Sequence, residues 1–441
     1  MLLSITLSVP AVATTLSGAL QQAYQSNPQL HASRAALRAS DEAVAIARGG
    51  YRPTLSLDAV ASQSDQDAGS IGQGRIGLQA DQSLFDGSVT RNTVRSAMAT
   101  VDAGRGSLSA TEQEVLLSAI TAFVDVRRDT NVITIREANL DFLSQQVRSA
   151  QTRFDVGDET KTAIAEAQAR QAEAVAQLAR AQAQLAASEA TYLQVVGVVP
   201  SDLQAAILPE SLLPSSQEQA IEQALETHPS LVSAAANAQA ARFDVERTRG
   251  ALQPTLGLSA RVEQVVDDLA SEDPRDQDGQ NASVSLQFRL PLYQAGVASA
   301  RVRQARQILE QRSLQIEALS AQLTAGVQSA WAQRNAANAA QQATQTQIES
   351  AQLARDGKLN EQSVGLVTTL DVLNAQQDVL AAELAASNAQ RDSVLAGFAL
   401  VAATGNLSVQ ALELSVEPYE PGKHFSAVNR QWFGTRAQDY Q

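Results

Sequence analysis

The sequence predicts a mostly α-helical α+β fold, internally duplicated, in which long coiled-coil helices alternate with four amphipathic strands. Three observations carry this expectation. A stretch of about 200 residues is written twice. Aromatic residues make up only 4% of the 441 residues, so long helices packed through small side chains suit the composition better than a bulky globular core. Short segments of strict apolar/polar alternation sit between Ala- and Gln-rich stretches of helical period.

"NPQLHASRAALRASDEAVAIARGGYRPTLSLDA" from Asn27 aligns without a gap on "HPSLVSAAANAQAARFDVERTRGALQPTLGLSA" from His228. Pro28 falls on Pro229, Arg48 on Arg249 and Pro53-Thr54-Leu55 on Pro254-Thr255-Leu256. After a seven-residue shift the match resumes, with Val156-Gly157 on Val364-Gly365 and Gly197 on Gly405. The expected organisation is one duplicated unit over 14–408, with repeats 14–215 and 216–408, followed by a C-terminal tail over 409–441. A repeat of this length is no solenoid period.

Each repeat shows the same signals in order. A helix is expected over 28–49 and 229–250, stopped by Gly49-Gly50 or Gly250 with Pro53 or Pro254 beyond. Two strands follow within 53–85 and 254–293. Leu55, Leu57, Ala59 and Ala61 form one face of the first strand, and Ile76, Leu78 and Ala80 one face of the second. In the second repeat the faces are Leu256, Leu258, Ala260 and Val262, then Val284, Leu286, Phe288, Leu290 and Leu292. The polar segments "SQSDQDAGSIGQG" and "DDLASEDPRDQDGQN" read as the turns. Long helices then run over 89–155 and 297–361, break at Val-Gly, and resume over 160–196 and 368–404. The last of these carries a seam of period near 3.5 through Leu366, Leu370, Leu373, Leu380, Leu384, Val394, Phe398 and Val401, interrupted by Gln377, Ser387 and Arg391.

Composition narrows the function. A formal charge of −14 without a basic run excludes nucleic acid as a partner, since phosphate recognition needs clustered Lys and Arg. The absence of Cys removes thiol catalysis, thiolate metal sites and disulfides. Residues 2–13, "LLSITLSVPAVA", read either as the apolar part of an incomplete export signal ending before Thr14 or as a short buried segment. No later apolar run reaches the length of about 20 residues that a spanning helix needs, so a membrane crossing would use strands. Four strands cannot close a barrel, because the smallest membrane barrels need about eight. Two copies would supply eight strands and three would supply twelve; the count leaves both open. Alternation also describes a solvent-facing sheet, so a soluble periplasmic coiled-coil scaffold is the competing expectation.

No catalytic, cofactor or metal site is expected. "GQGRIG" with Gly72, Gly74 and Gly77 matches a dinucleotide fingerprint formally, but strand alternation continues past Gly77 where a helix should open. His31, His228 and His424 share no repeat position and lack ligand spacing. The acidic segment 267–278 has Pro274 and Ser285 where a calcium loop needs acids, and reads as a solvated loop. Asn281-Ala282-Ser283 is a formal glycosylation sequon.

"NPQL", "GYRPTL", "SLFDG", "RFDVG", "PLYQAG", "TTLDVLNAQ" and "HFSAVNRQWFG" together resemble the TolC family of outer-membrane channel-tunnels. The resemblance covers nearly the whole chain and both repeats. It implies a homotrimer whose four transmembrane strands per chain close a 12-stranded barrel in outer-membrane lipid, continuous with a helical periplasmic tunnel. It also implies a periplasmic adaptor (membrane fusion) protein and an inner-membrane transporter as partners, in drug efflux or type I secretion. The tail 409–441 would then be equatorial.

The Val-Gly breaks are where the resemblance places function. Val156, Gly157 and Asp158, and Val364, Gly365 and Leu366, resemble tips that meet adaptor hairpins. Thr368 and Asp371 have capping-box spacing, which by itself explains an acid there. The resemblance adds a second role: positions Asp371 and Asn374 ring the periplasmic entrance, and here only Asp371 is acidic. Gln362 and Val367 stand where family members carry a Tyr and Arg lock, and Ala163 stands opposite Asp371 in the first repeat, leaving Asp158, Glu159 and Glu166 to supply charge.

Overall fold

The computed structural model describes residues 14–66, 69–267, 279–429 and 431–435. Both repeats open on a short helix that periodicity alone left unassigned: α1 (Leu16–Ser26) and α5 (Gln217–Thr227). Each has a hydroxyl N-cap, Thr15 accepting from the Gly18 amide at 3.1 Å and Ser216 from that of Gln219 at 3.1 Å. α1 buries Leu16, Ala19, Leu20, Ala23 and Tyr24, an i, i+3, i+4 stripe. The Asn-Pro pair then explains itself. The Asn27 carboxamide accepts from the Gln29 amide at 2.9 Å, and Pro28, which has no N–H to satisfy, begins α2 (Pro28–Gly49).

In sequence order there follow β1 (Thr54–Gln66), β2 (Gly69–Phe85), α3 (Val89–Asp155), α4 (Lys161–Val196) and a 3-10 turn at Glu210–Leu212. After α5 come α6 (Pro229–Gly250), β3 (Thr255–Asp267), β4 (Gly279–Arg289), α7 (Val297–Ser363), α8 (Thr369–Ala403) and α9 (Pro421–Val428). α3 and α7 have 67 residues each, about 100 Å at 1.5 Å per residue. Among the described residues no helix is long and apolar enough to cross a membrane.

The chain divides into two compact units, each drawing on both repeats. The first comprises residues 1–33, 108–229 and 319–419. Its core includes Leu116, Ile120 and Phe123 of α3 and Tyr192 and Val196 of α4, with Phe123 and Tyr192 rings 6.5 Å apart. α4 buries Ala163, Ala167, Ala174, Ala181 and Ser188, a near-heptad row of small side chains that lets helices approach closely with few aromatics. The α8 seam differs from its expected form. Gln376 rather than Gln377 is buried, and Leu366 and Leu370 are exposed. Polar partners resolve the interruptions: Gln376 donates to Asn139 at 3.0 Å, Asn131 to Ser387 at 3.1 Å and Arg391 to Asp125 at 2.9 Å.

The second unit comprises 34–107, 230–318 and 420–441. It holds one antiparallel sheet in the order β1-β2-β3-β4, and a core that includes Leu37, Val44 and Val101. Two strand boundaries depart from expectation. β1 and β2 pair as far as Gln66 with Gly69, so most of the polar segment expected as a turn is strand; backbone pairing does not depend on apolar side chains. β4 stops at Arg289, before Pro291, which has no N–H and disfavours continuation at its neighbour, so Leu290 and Leu292 lie outside the sheet. Gly74 and Gly77 sit in strand β2, with no helix N-terminus behind them. Asn281 lies in β4, whereas 1–13 and 268–278 fall outside the described residues.

Candidate functional site: paired helix turns and an amphipathic sheet

Both Val-Gly breaks, in the first unit, are the same backbone device. At the end of α3 the Gly157 amide donates to the Phe154 carbonyl at 2.9 Å and the Asp158 amide to the Arg153 carbonyl at 2.8 Å. At the end of α7 the Gly365 amide donates to the Gln362 carbonyl at 3.0 Å and the Leu366 amide to the Glu361 carbonyl at 2.9 Å. Paired 5→2 and 6→1 bonds of this kind close a helix on a left-handed residue. Gly157 and Gly365 supply it, at φ 86° and 77°. Val156, Val364 and Leu366 are left 76%, 69% and 76% exposed, so each turn presents bare apolar side chains.

The returning helices are capped. Thr160 accepts from the Ala163 amide at 3.2 Å. Thr368 and Asp371 form the full capping box: the Asp371 amide donates to Thr368 Oγ1 at 3.3 Å, and Asp371 Oδ2 accepts from the Thr368 amide at 2.8 Å and hydroxyl at 2.7 Å. Those hydrogen bonds, with the charge of Lys358, hold the Asp371 carboxyl below the usual carboxylate range. Lys358 donates to Glu361 at 2.8 Å, which raises its own pKa.

The fold also joins the two turns. The Gln362 carboxamide, 6% exposed, donates to Thr369 Oγ1 at 3.0 Å, and Thr369 donates to Glu159 Oε2 at 3.1 Å. Asp371 and Asn374 are exposed and Val367 is half-buried. Asp158 is exposed beside Gly157, while Ala163 is buried. Sequence reasoning missed Glu159–Thr369–Gln362 as a connected group, because its members come from different repeats.

The sheet of the second unit separates its faces by chemistry. Residues directly opposite across a ladder share a face. Leu57, Leu78, Val262 and Ala282 are aligned in this way, as are Leu55, Ala80, Ala260 and Val284. On the opposite face Asp58, Gly77, Glu263 and Asn281 align, with Arg261 3.7 Å from Glu263 and Arg75 3.9 Å from it. The apolar face is open: Leu55, Leu57, Val284, Leu286 and Phe288 are all exposed. β1 and β4 are the edges, each paired on one side only within the chain.

One buried pair was not foreseen. His424 Nδ1 lies 2.9 Å from Asp41 Oδ2, joining α9 to α2, and burial pushes the Asp41 carboxyl above its ordinary value against the opposing pull of His424 and Arg105. His424 is thus a packing residue. Among the described residues no group of three or more His, Asp or Glu could hold a metal ion.

Comparison with known proteins supplies the family. The sequence profile of the family described as "Outer membrane efflux protein" matches residues 19–198 and again 220–406, one match per repeat. The chain is 40% identical over 430 residues to the outer membrane efflux protein BepC of Brucella suis, covering 97% of this chain and 93% of the relative. It is 27% identical over 422 residues to the outer membrane protein TolC of Escherichia coli, covering 91% and 84%. The Campylobacter jejuni CmeC outer membrane channel has the same fold, with a TM-score of 0.80 at 15% identity over 94% of this chain and 89% of that one. Members of the family are channel proteins rather than enzymes. The chain belongs to the outer membrane efflux protein family and is an outer-membrane exit duct.

Proposed function

We propose that the chain works as a homotrimer, three sheets closing a 12-stranded barrel in outer-membrane lipid, and passes drugs or secreted proteins outward from a periplasmic adaptor and an inner-membrane transporter. The observation that carries this reading is the sheet: four strands, two edges unpaired within the chain, one face apolar and exposed. Open edges are not tolerated in hydrocarbon, and closure between copies removes them. The duct performs no catalytic step of its own, binds no nucleic acid, and takes its driving energy from its partners. The exposed apolar turns at Val156-Gly157 and Val364-Gly365 offer the adaptor a surface suited to helix-tip docking.

Two measurements test the reading. The protein should require detergent for solubility and run as a heat-sensitive oligomer on a gel, and a chemically crosslinked adaptor and transporter should co-purify with it. A monodisperse monomer, soluble without detergent, would sink the proposal and leave the periplasmic scaffold.

A further inference from the structure

We propose that Trp432 and Phe433, held by Arg52, form a membrane-interface anchor that seats the C-terminal segment in the inner-leaflet headgroup layer of the outer membrane. The inference rests on the reading that the sheet inserts in that membrane.

Arg52 stands two residues before Thr54, the first residue of β1. Its guanidinium donates to the Gln431 carbonyl at 2.9 Å and lies 4.5 Å from the centre of the Trp432 ring. Both ends of that clasp belong to the second unit, so the tail is fixed at the helix-connected end of the sheet. α9 is docked independently, through buried His424 and Val428.

Exposure is the second observation. Although the tail is pinned, Trp432 and Phe433 are 61% and 88% exposed. They continue a set of aromatics at the same strand ends: Tyr51 before β1, Phe85 closing β2 and Tyr293 after β4 are exposed too. The opposite strand ends carry Gln66, Gly69, Asp267 and Gly279 instead. Trp and Tyr, whose rings have an apolar body and a polar group, collect where acyl chains meet headgroups, and girdles of aromatic residues flank membrane barrels. The sheet's apolar face starts at Leu55, one residue into β1 and three after Arg52. Arg52 can hold the indole face by a cation–π contact and still pair with lipid phosphate, as an interfacial cation does.

The chain has two tryptophans, Trp331 and Trp432, which makes fluorescence a direct reporter. The full-length protein is reconstituted in phosphatidylethanolamine/phosphatidylglycerol vesicles, with or without acyl chains brominated near the headgroup. Trp331→Phe isolates Trp432, and the difference between the unaltered chain and Trp432→Phe gives the same signal if Trp331→Phe folds poorly. Brominated lipid should lower Trp432 emission at least about two-fold, as expected of a ring at the headgroup boundary. Arg52→Ala should abolish that quenching. An insertion control places a tryptophan on the apolar face, as Leu286→Trp in Trp432→Phe, read as the difference from Trp432→Phe alone. Quenching of the control without quenching of Trp432 overturns the anchor while leaving insertion intact, whether acrylamide reaches the ring or a neighbouring copy shields it. Quenching of neither overturns insertion and the anchor together. Undiminished quenching in Arg52→Ala overturns the role of the clasp.

Discussion

Asp371 can satisfy two demands at once, because a capping carboxylate uses one oxygen and its charge is long-ranged. Only Oδ2 takes part in the box with Thr368. Asp371→Asn keeps an acceptor for the Thr368 amide and removes the charge, so it separates the roles. If three copies ring the entrance, their summed field attracts cations, and Asp371→Asn should relieve divalent-cation block in planar-bilayer conductance while leaving α8 intact. Thr368→Ala removes the cap and keeps the charge: block should persist, with a loss of about 1 kcal/mol in local stability, read by amide hydrogen exchange over the first turn of α8. Because the folded-state pKa of Asp371 is depressed, the stabilisation from its cap is present above the ordinary carboxylate value of 3.8 and is lost as pH falls through the folded value. Asp41 has the opposite sign. Its raised pKa means that its contribution is complete below the ordinary 3.8 and is lost as pH rises through the folded value. His424 opposes that loss, so His424→Ala, which removes the buried hydrogen-bond partner of Asp41 Oδ2, should cost about 2 kcal/mol and speed proteolysis around α9.

Helices and strands were legible where local chemistry ends them. Gly-Gly before Pro53, Asn27-Pro28 and the Val-Gly breaks act through the residues that carry them, and the helices fall close to the expected bounds. What lay hidden was pairing at long range: Glu159 with Thr369 is 210 residues apart, Asn139 with Gln376 237, and Asp41 with His424 383. No periodicity reports such partners. α1 and α5 escaped notice because eleven residues give barely three turns of pattern. Glycine itself illustrates how one signal hides two environments. A Cβ on Gly365 would meet nothing within 4 Å, whereas on Gly405 it would lie 2.8 Å from the His228 Cα. Both are left-handed, at φ 77° and 84°. Gly365→Ala should therefore cost about 1 kcal/mol, the dihedral penalty alone. Gly405→Ala should cost about 3 kcal/mol, since overpacking against backbone adds to it. Thermal unfolding of the detergent-solubilised protein would rank them, and equal losses would contradict the difference in surroundings.

Four strands with complementary edges set a counting problem that the assembly must solve. The edge residues allow it to be read directly, since the chain has no Cys to confuse a crosslink. β1 begins and β4 ends at the same, helix-connected end of the sheet, as the pairing of Thr54 with Asp81 and Thr255 with Arg289 requires. When copies close a barrel, β1 of one meets β4 of the next antiparallel, so Ser56 and Gln287, both on the polar face and near the helix-connected end, lie on the two edges that meet. Ser56→Cys with Gln287→Cys in one chain should oxidise into bands of one, two and three chains on a denaturing, non-reducing gel, with nothing larger. Closure of eight strands would stop the ladder at two, and an open filament of edge-paired sheets would run past three. Side chains on the two faces should then respond oppositely to charge. Val284→Arg, on the apolar face, should cost about 3 kcal/mol near mid-membrane and weaken the heat-sensitive oligomer. Asn281→Lys, on the polar face opposite Glu263, should leave it unchanged. Tolerance of both, with the ladder ending at three, would place the apolar face against protein instead of lipid.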